Sequence, residues 1–302
     1  EGDTMYLGAC TKASSSSDRT EQPFSEELAK PRAFSLKRSY MDEVFNRLYK
    51  QKQTKERKSL WEDKEKSLED KLKNIFAPYI GLNINQIENK IGVEVNKSSK
   101  QYLHTLINKI LGVNKETDIE EFVKAGIKIK SLRTNNDLVP FEHISFPAFK
   151  FKEIIEEEWL NSSFYERLEN TKYFFVVFKS SKPSKNKFNN LTKEEKKVDL
   201  RLHKVLMWNM PAEDIEIAKE VWEKTKILLQ NGGDIVKYID GNGRHTDFPK
   251  KTENIVSHVR PHGSTTEDTY PLPDNFIQDE YTKHCFWLNN SYISKQLKKE
   301  VE

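Results

Sequence analysis

Residues 173–178 read Tyr-Phe-Phe-Val-Val-Phe, and no other stretch limits the fold as tightly. Six β-favouring residues follow one another without polar alternation, so a strand here has no wet face. Such a strand belongs in the middle of a sheet covered on both sides. The rest of the chain must then supply a layer for each face.

The supply is visible in the periodicity. Val44, Phe45, Leu48 and Tyr49 recur at helix spacing, and residues 41–78 are expected to be mainly helical, with an alternating Lys/Glu section over 52–71 as a solvated helix face or a loop. A short helix is expected over 84–91. A second carries the stripe Tyr102, Leu103, Leu106, Ile107, Ile110 and Leu111 and stops at Gly112. Residues 150–170 read as one helix or two. Pro211-Ala-Glu-Asp214 opens a long helix with acids in its first turn, and Gly232-Gly233 ends it. A closing helix starts near Tyr292. Further strands are expected over 143–146, 203–208, 255–259 and 285–288. Residues 180–197 read as a Lys/Asn/Ser-rich loop, either solvated or touching phosphate. The mixed order predicts an α/β fold, a mixed β-sheet flanked by helices.

Residues 1–40 are irregular by composition. Ser14 to Ser17 form a polar tract and Pro23 and Pro31 interrupt helices, whereas Tyr6, Leu7, Phe34 and Leu36 are apolar residues that a free linker rarely carries. A linker and an ordered arm both fit. The chain is therefore divided into a connecting arm, 1–40, and one domain, 41–302. It begins Glu-Gly-Asp, which reads as a piece of a longer or processed protein. Cys10 and Cys285 are far apart, with no paired-cysteine spacing, which fits a reducing cytoplasm and offers no zinc site. No apolar run is long enough to span a membrane. The net charge of +3 is too small to announce nucleic-acid binding, so any basic site must come from local clustering.

The stretch Glu121-Phe-Val-Lys-Ala-Gly-Ile-Lys-Ile-Lys130 is the candidate for chemistry. It reads as a turn entering a strand, with Ile127 and Ile129 on one face and Lys128 and Lys130 on the other. An acid-x6-acid-x-Lys pattern on such a strand builds a magnesium site in many nucleases, two carboxylates holding the ion and the lysine steadying water or phosphate. Here the middle acid is replaced by Lys128.

Several segments in one order carry a resemblance: Tyr6-Leu-Gly-Ala-Cys-Thr-Lys12, Ala33-Phe-Ser-Leu-Lys37, Lys124-Ala-Gly-Ile-Lys-Ile-Lys130, Ser145-Phe-Pro-Ala-Phe-Lys-Phe151, Met210-Pro-Ala-Glu-Asp-Ile215, His258-Val-Arg-Pro-His262 and Phe286-Trp-Leu-Asn-Asn-Ser-Tyr292. Together they resemble the MutH-like endonucleases, which act at GATC. The match is to the C-terminal, non-catalytic copy, with the segment before it, of the two-copy type II restriction enzymes. The resemblance implies a restriction-endonuclease-like α/β core whose metal site is Asp-x6-Glu-x-Lys with an upstream helix Glu and a downstream Lys. The Asp falls on Glu121, the Glu on Lys128, the Lys on Lys130, the helix Glu on Asn108 and the downstream Lys near Arg201, with Lys204 beside it.

The family's central positions sum to −1, whereas Glu121, Lys128 and Lys130 sum to +1. An ammonium about 4 Å from magnesium is repelled by several kcal/mol at an effective dielectric near 20. No metal site and no cleavage by this domain alone are therefore expected, and magnesium is expected only for a full enzyme. The resemblance implies that the DNA-reading positions persist as Lys100, Arg260, Pro261 and Trp287. Lys128 and Lys130 read either as a solvated strand face or as phosphate contacts in the former metal cleft, and Arg201 and Lys204 are further candidate DNA-binding residues. The expected partners are double-stranded DNA and an N-terminal catalytic domain of the same polypeptide, and the expected role is that of an allosteric effector.

Plainer readings stand beside these. Glu121 reads as a surface acid paired with Lys124, Lys100 as an exposed helix-entry lysine, Arg260 as a loop salt bridge and Trp287 as core. His258 and His262 flank a proline and do not share a helix face, and His143 and His203 read as structural. Two other functions stay open: an active nuclease with a rearranged carboxylate set from Asp118, Glu120, Glu121 and Glu142, and an interaction domain without DNA binding.

Overall fold

The residues 173–178 lie in the strand Lys172–Lys179, the middle of a three-stranded sheet. The computed structural model describes residues 6–12, 18–22, 25–49, 56–60, 67–95, 101–114, 117–240 and 243–299. From Tyr173 to Phe178 no side chain is more than 6% exposed. Burying each of these phenylalanines contributes roughly 2–3 kcal/mol. Arg201–Trp208 pairs with one edge of this strand antiparallel, and Ile127–Thr134 pairs with the other edge parallel.

Each face has its own cover. Phe174, Val176 and Phe178 pack with Ile127, Val205 and Met207 against the helices Leu68–Phe76, Ile84–Ile91, Tyr102–Ile110 and Glu120–Ala125. Tyr173, Phe175 and Val177 pack with Leu132, Leu206 and Trp208 on the opposite face. Their cover is the helix Ala212–Asn231, the helix Ser163–Asn170 and a second, antiparallel sheet. That sheet has the order Ser257–Pro261, His284–Leu288, Ile144–Ser145. This is the mixed α/β architecture expected of a restriction-endonuclease-like core. The helix Ala212–Asn231 begins after Pro211 and ends at Gly232, as its flanking residues require.

Four expectations change. The irregular segment before residue 40 contains strands: Leu7–Thr11 pairs antiparallel with Arg32–Leu36, and Thr20–Gln22 with Ser25–Ala29. Pro31 stands just outside the ribbon, where its missing N–H removes no ladder bond, and its carbonyl accepts from the Lys12 N–H at 2.8 Å. The helix Arg38–Tyr49 then runs on across residue 40. The 52–71 section includes a short strand, Glu56–Lys58, parallel to Thr117–Ile119; residues 50–55 and 61–66 lie outside the described residues. The Lys-rich loop holds two short helices, Lys185–Asn189 and Lys193–Asp199, the second started by a Thr192/Glu195 capping box. One of its lysines, Lys197, is buried and donates to both oxygens of Glu88 at 2.6 and 2.7 Å.

The arm is fastened to the domain by polar contacts. Arg38 pairs with Glu166 at 2.6 Å, the Ser39 hydroxyl donates to the Lys124 carbonyl at 2.9 Å, and Lys30 pairs with Glu216 at 3.3 Å. Gly126 permits the close approach: it sits at φ +69°, and a Cβ there would meet Ser39 Oγ at 3.2 Å.

Candidate nucleic-acid interface

The stretch 121–130 is a short helix, Glu120–Ala125, a left-handed Gly126 cap, and the strand Ile127–Thr134. The expected turn is helical because successive residues can place Glu120 and Lys124 together on the outer surface, where they form an i,i+4 pair. Glu121 then faces inward. It is 2% exposed and is not the surface acid paired with Lys124 that its neighbours suggest. Its Oε1 accepts from the Ser59 hydroxyl at 2.7 Å, and both carboxylate oxygens accept from the Leu60 N–H at 3.0 and 3.1 Å. Glu121 holds residues 59–60 against the domain instead of facing the lysines.

Strand alternation separates the other members of the implied site. Lys128 and Lys130 lie opposite Tyr173 and Phe175, on the face of the second sheet. Ile127 and Ile129 lie on the other face and border a cavity of about 770 Å³ with Asn108, His104 and Asp118. Asn108 therefore does not stand across from the two lysines, and the implied ligand positions do not converge. Neither does the rearranged set. Glu120 is paired with Lys124, Glu121 with residues 59–60, and Glu142 with Arg133 and Lys185. Among the described residues no three His, Cys, Asp or Glu side chains are grouped to hold a metal ion.

A different constellation does form. A cleft of about 590 Å³ between the two sheets is lined by Lys130, Arg133, Glu142, Lys185, Arg260 and Trp287. Four cations against one carboxylate give the cleft +3 from these side chains. The Arg260 guanidinium lies 5.6 Å from the Trp287 ring centre, a cation–π contact within the cleft lining. Arg260 and Pro261 belong to the strand itself, opposite Cys285 and His284, and do not form a loop after it. Pairing with the strand His284–Leu288 extends the ladder beyond the apolar residues that mark the strand in the sequence. Trp287 is half-buried, opposite His258 and Ser145, and its indole N–H is buried with no hydrogen-bond partner among the described residues.

Charge within the cleft is tuned by burial. Burial holds the Lys130 ammonium below the usual lysine pKa, opposed by Glu142. Burial raises the Glu142 carboxyl pKa, but Arg133 at 2.8 Å and Lys185 at 3.5 Å outweigh it, and the net shift is downward. His143 lines the same cleft, and burial, with Lys251 and Arg260 nearby, brings it to about 4. His258 is also brought to about 4, by burial and then by His143, whose ring centre lies 4.8 Å away. Both rings are therefore neutral near pH 7. His143 Nδ1 accepts from the Asn290 N–H at 2.9 Å, and His258 Nδ1 lies 2.6 Å from Asn289 Oδ1. His258 and His262 share no metal-binding geometry: the first is committed to Asn289 and the second rests its ring on Trp287 at 5.6 Å.

The remaining sequence candidates lie elsewhere. Lys128 lines a separate crevice under the arm. The Arg201 guanidinium donates to the Gly81 carbonyl at 3.2 Å, beside Ser181 and Asp199. The Lys204 ammonium donates to the Leu297 carbonyl at 2.6 Å, in the last turn of the closing helix, a position that suits a cation. Neither reaches the cleft. Lys100 lies outside the described residues. Arg133 carries no signal of its own in the sequence, and Lys185 is marked only as one lysine of the loop read as either solvated or touching phosphate. They meet only through Glu142, a contact among three separate segments.

No protein-family model matches the chain. It is similar, at 32% identity over 334 aligned residues, to the type II restriction enzyme Sau3AI of Staphylococcus aureus. The alignment covers 98% of this chain and 65% of that enzyme, so the chain spans just under two thirds of the curated relative it matches. The similarity is to a restriction endonuclease, over a length that leaves part of that enzyme without a counterpart here.

Proposed function

We propose that the chain is a DNA-holding unit of a type II restriction endonuclease, one that binds duplex DNA in the cationic cleft and does not cut it. One observation carries the reading. Lys130, Arg260 and Trp287, far apart in the chain, line one cleft, whereas the carboxylates available to a magnesium site point to different places. Lys130 meets the phosphate backbone as a point charge, and Arg260 presents its guanidinium fork to base edges, with guanine O6 and N7 as its natural acceptors. Trp287 packs its ring against the Arg260 guanidinium and lines the cleft beside it. Among the described residues the carboxylates do not converge, which leaves no seat there for a metal that would activate a water.

Following the resemblance of the chain to the C-terminal copy of two-copy MutH-like enzymes, the proposed sequence is GATC. The proposed role is that of an effector that occupies one site and alters a catalytic unit in the same polypeptide, with residues 1–40 as the connecting arm. Magnesium is then a requirement of that unit. Arg260→Ala is the direct test. A base-reading arginine is worth about 1–3 kcal/mol of discrimination, so the variant should lose the preference for GATC over scrambled duplex in a fluorescence-anisotropy titration. Unchanged preference removes Arg260 from the reading.

A second reading draws on a different surface. Phe34 is 87% exposed, Tyr49 73% and Leu48 63%, an apolar display along the arm and the helix after it that suits protein contact. An interaction domain without DNA binding would show no salt-dependent affinity for any duplex.

A further inference from the structure

The cleft is not the only basic recess. A crevice of about 540 Å³ separates the arm from the domain. Arg32, Lys37 and Arg38 line it from the arm, and Lys128, Arg167 and Lys172 from the domain. Its carboxylates are Asp42, Glu166 and Glu169. All three lie against arm arginines: Arg38 pairs with Glu166 at 2.6 Å and approaches Asp42 at 3.9 Å, and Arg32 approaches Glu169 at 3.8 Å. The domain side is left with an excess of positive charge. Neither the Lys128 ammonium nor the Arg167 guanidinium makes a hydrogen bond or ion pair among the described residues. Burial, Arg167 and Lys130 together hold Lys128 below the usual lysine pKa, with Glu166 opposing weakly, so its surroundings are cationic on balance.

The crevice and the cleft are joined by one strand. Lys128 and Lys130 are two residues apart on the same strand face, so their Cα atoms are about 7 Å apart along it. Lys130 and Arg260 also lack an ion-pair partner among the described residues. An unpaired series therefore runs from Arg167 through Lys128 and Lys130 to Arg260, from beneath the arm to the second sheet. Placing like charges in a row, with Glu166 and Glu142 offsetting them only in part, opposes stability, and a polyanion lying along them relieves it. The positions are also rigid: Lys128 and Lys130 stand on a strand in the main sheet, and Arg167 on a helix packed against it.

We propose that the crevice under the arm is a second backbone-phosphate site, which holds the sugar–phosphate strand of the same duplex beyond the segment read in the cleft. In this arrangement Lys128 and Arg167 contact phosphate directly. The arm is the outer wall, and its arginines hold Glu166 and Glu169 to one side. The inference rests on the DNA-binding reading of the cleft but adds residues and a segment that the reading does not need. It concerns the backbone only, so it contributes affinity and register and no sequence preference.

The test uses the full chain and a duplex long enough to leave the cleft on both sides. Binding is measured by anisotropy between about 50 and 200 mM salt for the wild type, Arg167→Ala and the double variant Lys128→Ala/Arg167→Ala. Each lost phosphate contact should reduce the slope of log K against log salt by about 0.9, so the double variant should lose about 1.8. The affinity should fall severalfold, equally for GATC and scrambled duplexes. Neither side chain has a partner to lose and the substitutions relieve repulsion between like charges, so the Tm should equal or exceed that of the wild type. If the wild type binds and Arg260→Ala changes its preference, but the double variant keeps the wild-type slope, the crevice site is overturned and the cleft stands. If the wild type has no salt-dependent affinity at all, both fall together.

Discussion

Replacing Glu121 by alanine separates a structural acid from a metal ligand. The carboxylate is 2% exposed and accepts from the Ser59 hydroxyl and the Leu60 N–H. Hydrogen bonds to a charged group are worth about 1.5–3 kcal/mol, and a buried N–H left without an acceptor costs about 1–3 kcal/mol. These terms overlap, and a net loss of about 2–4 kcal/mol is expected. For a chain of 302 residues the entropy of unfolding is roughly 0.63 kcal/mol/K, so the loss corresponds to a fall in Tm of about 3–6 °C. Glu121→Gln keeps one acceptor oxygen and should fall by about half as much. Calorimetry, with and without magnesium, is the assay. Both variants should show the same shift whether or not the ion is present. A Tm unchanged by Glu121→Ala, or a stabilisation by magnesium that the substitution abolishes, would refute the structural role of Glu121.

Three further expectations follow from other contacts. Lys197→Met leaves Glu88 charged and buried opposite an apolar side chain, which should cost about 3–5 kcal/mol and lower the Tm by roughly 5–8 °C; a neutral result would mean that the pair is solvated. Glu142→Gln removes the one carboxylate among the cleft side chains named above and should tighten duplex binding roughly two- to tenfold in a titration, whereas weaker binding would assign Glu142 to a contact with the bases. His143, His258 and His284 are each lowered from 6.5 to about 4 by burial, so the unfolded chain binds their protons more readily. Their contribution to stability is fully present above pH 6.5 and is lost as the pH falls from 6.5 towards 4. The Tm should drop across that window, with part of the slope removed by His258→Asn; a slope that this variant leaves unchanged contradicts the role of His258.

The sequence showed the layers of the fold better than its joints. The apolar run at 173–178 announces a central strand, and the stripe at 102–111 with Gly112 behind it announces a helix on one face, because both depend on local periodicity. The arm ribbon was hidden because its strands are short and weakly apolar, and pairing of Leu7–Thr11 with Arg32–Leu36 is a contact across more than twenty residues. The two helices over 185–199 were masked by lysines, which have helical propensity but no apolar stripe. At the candidate site, strand alternation correctly placed Lys128 and Lys130 on one face. It did not reveal that Glu121 turns inward on a helix or that Asn108 lies on the opposite side of the sheet, since both depend on where a short helix ends and the strand begins.

The central claim is that this chain holds DNA and does not cut it. The most direct measurement incubates the purified chain with supercoiled plasmid carrying GATC sites and magnesium, and follows binding by gel shift and strand breaks by conversion to nicked circle. Saturable, salt-sensitive binding with the plasmid still supercoiled is the expected result. Magnesium-dependent nicking by the same preparation, lost on substitution of any carboxylate placed here outside the cleft, would contradict it.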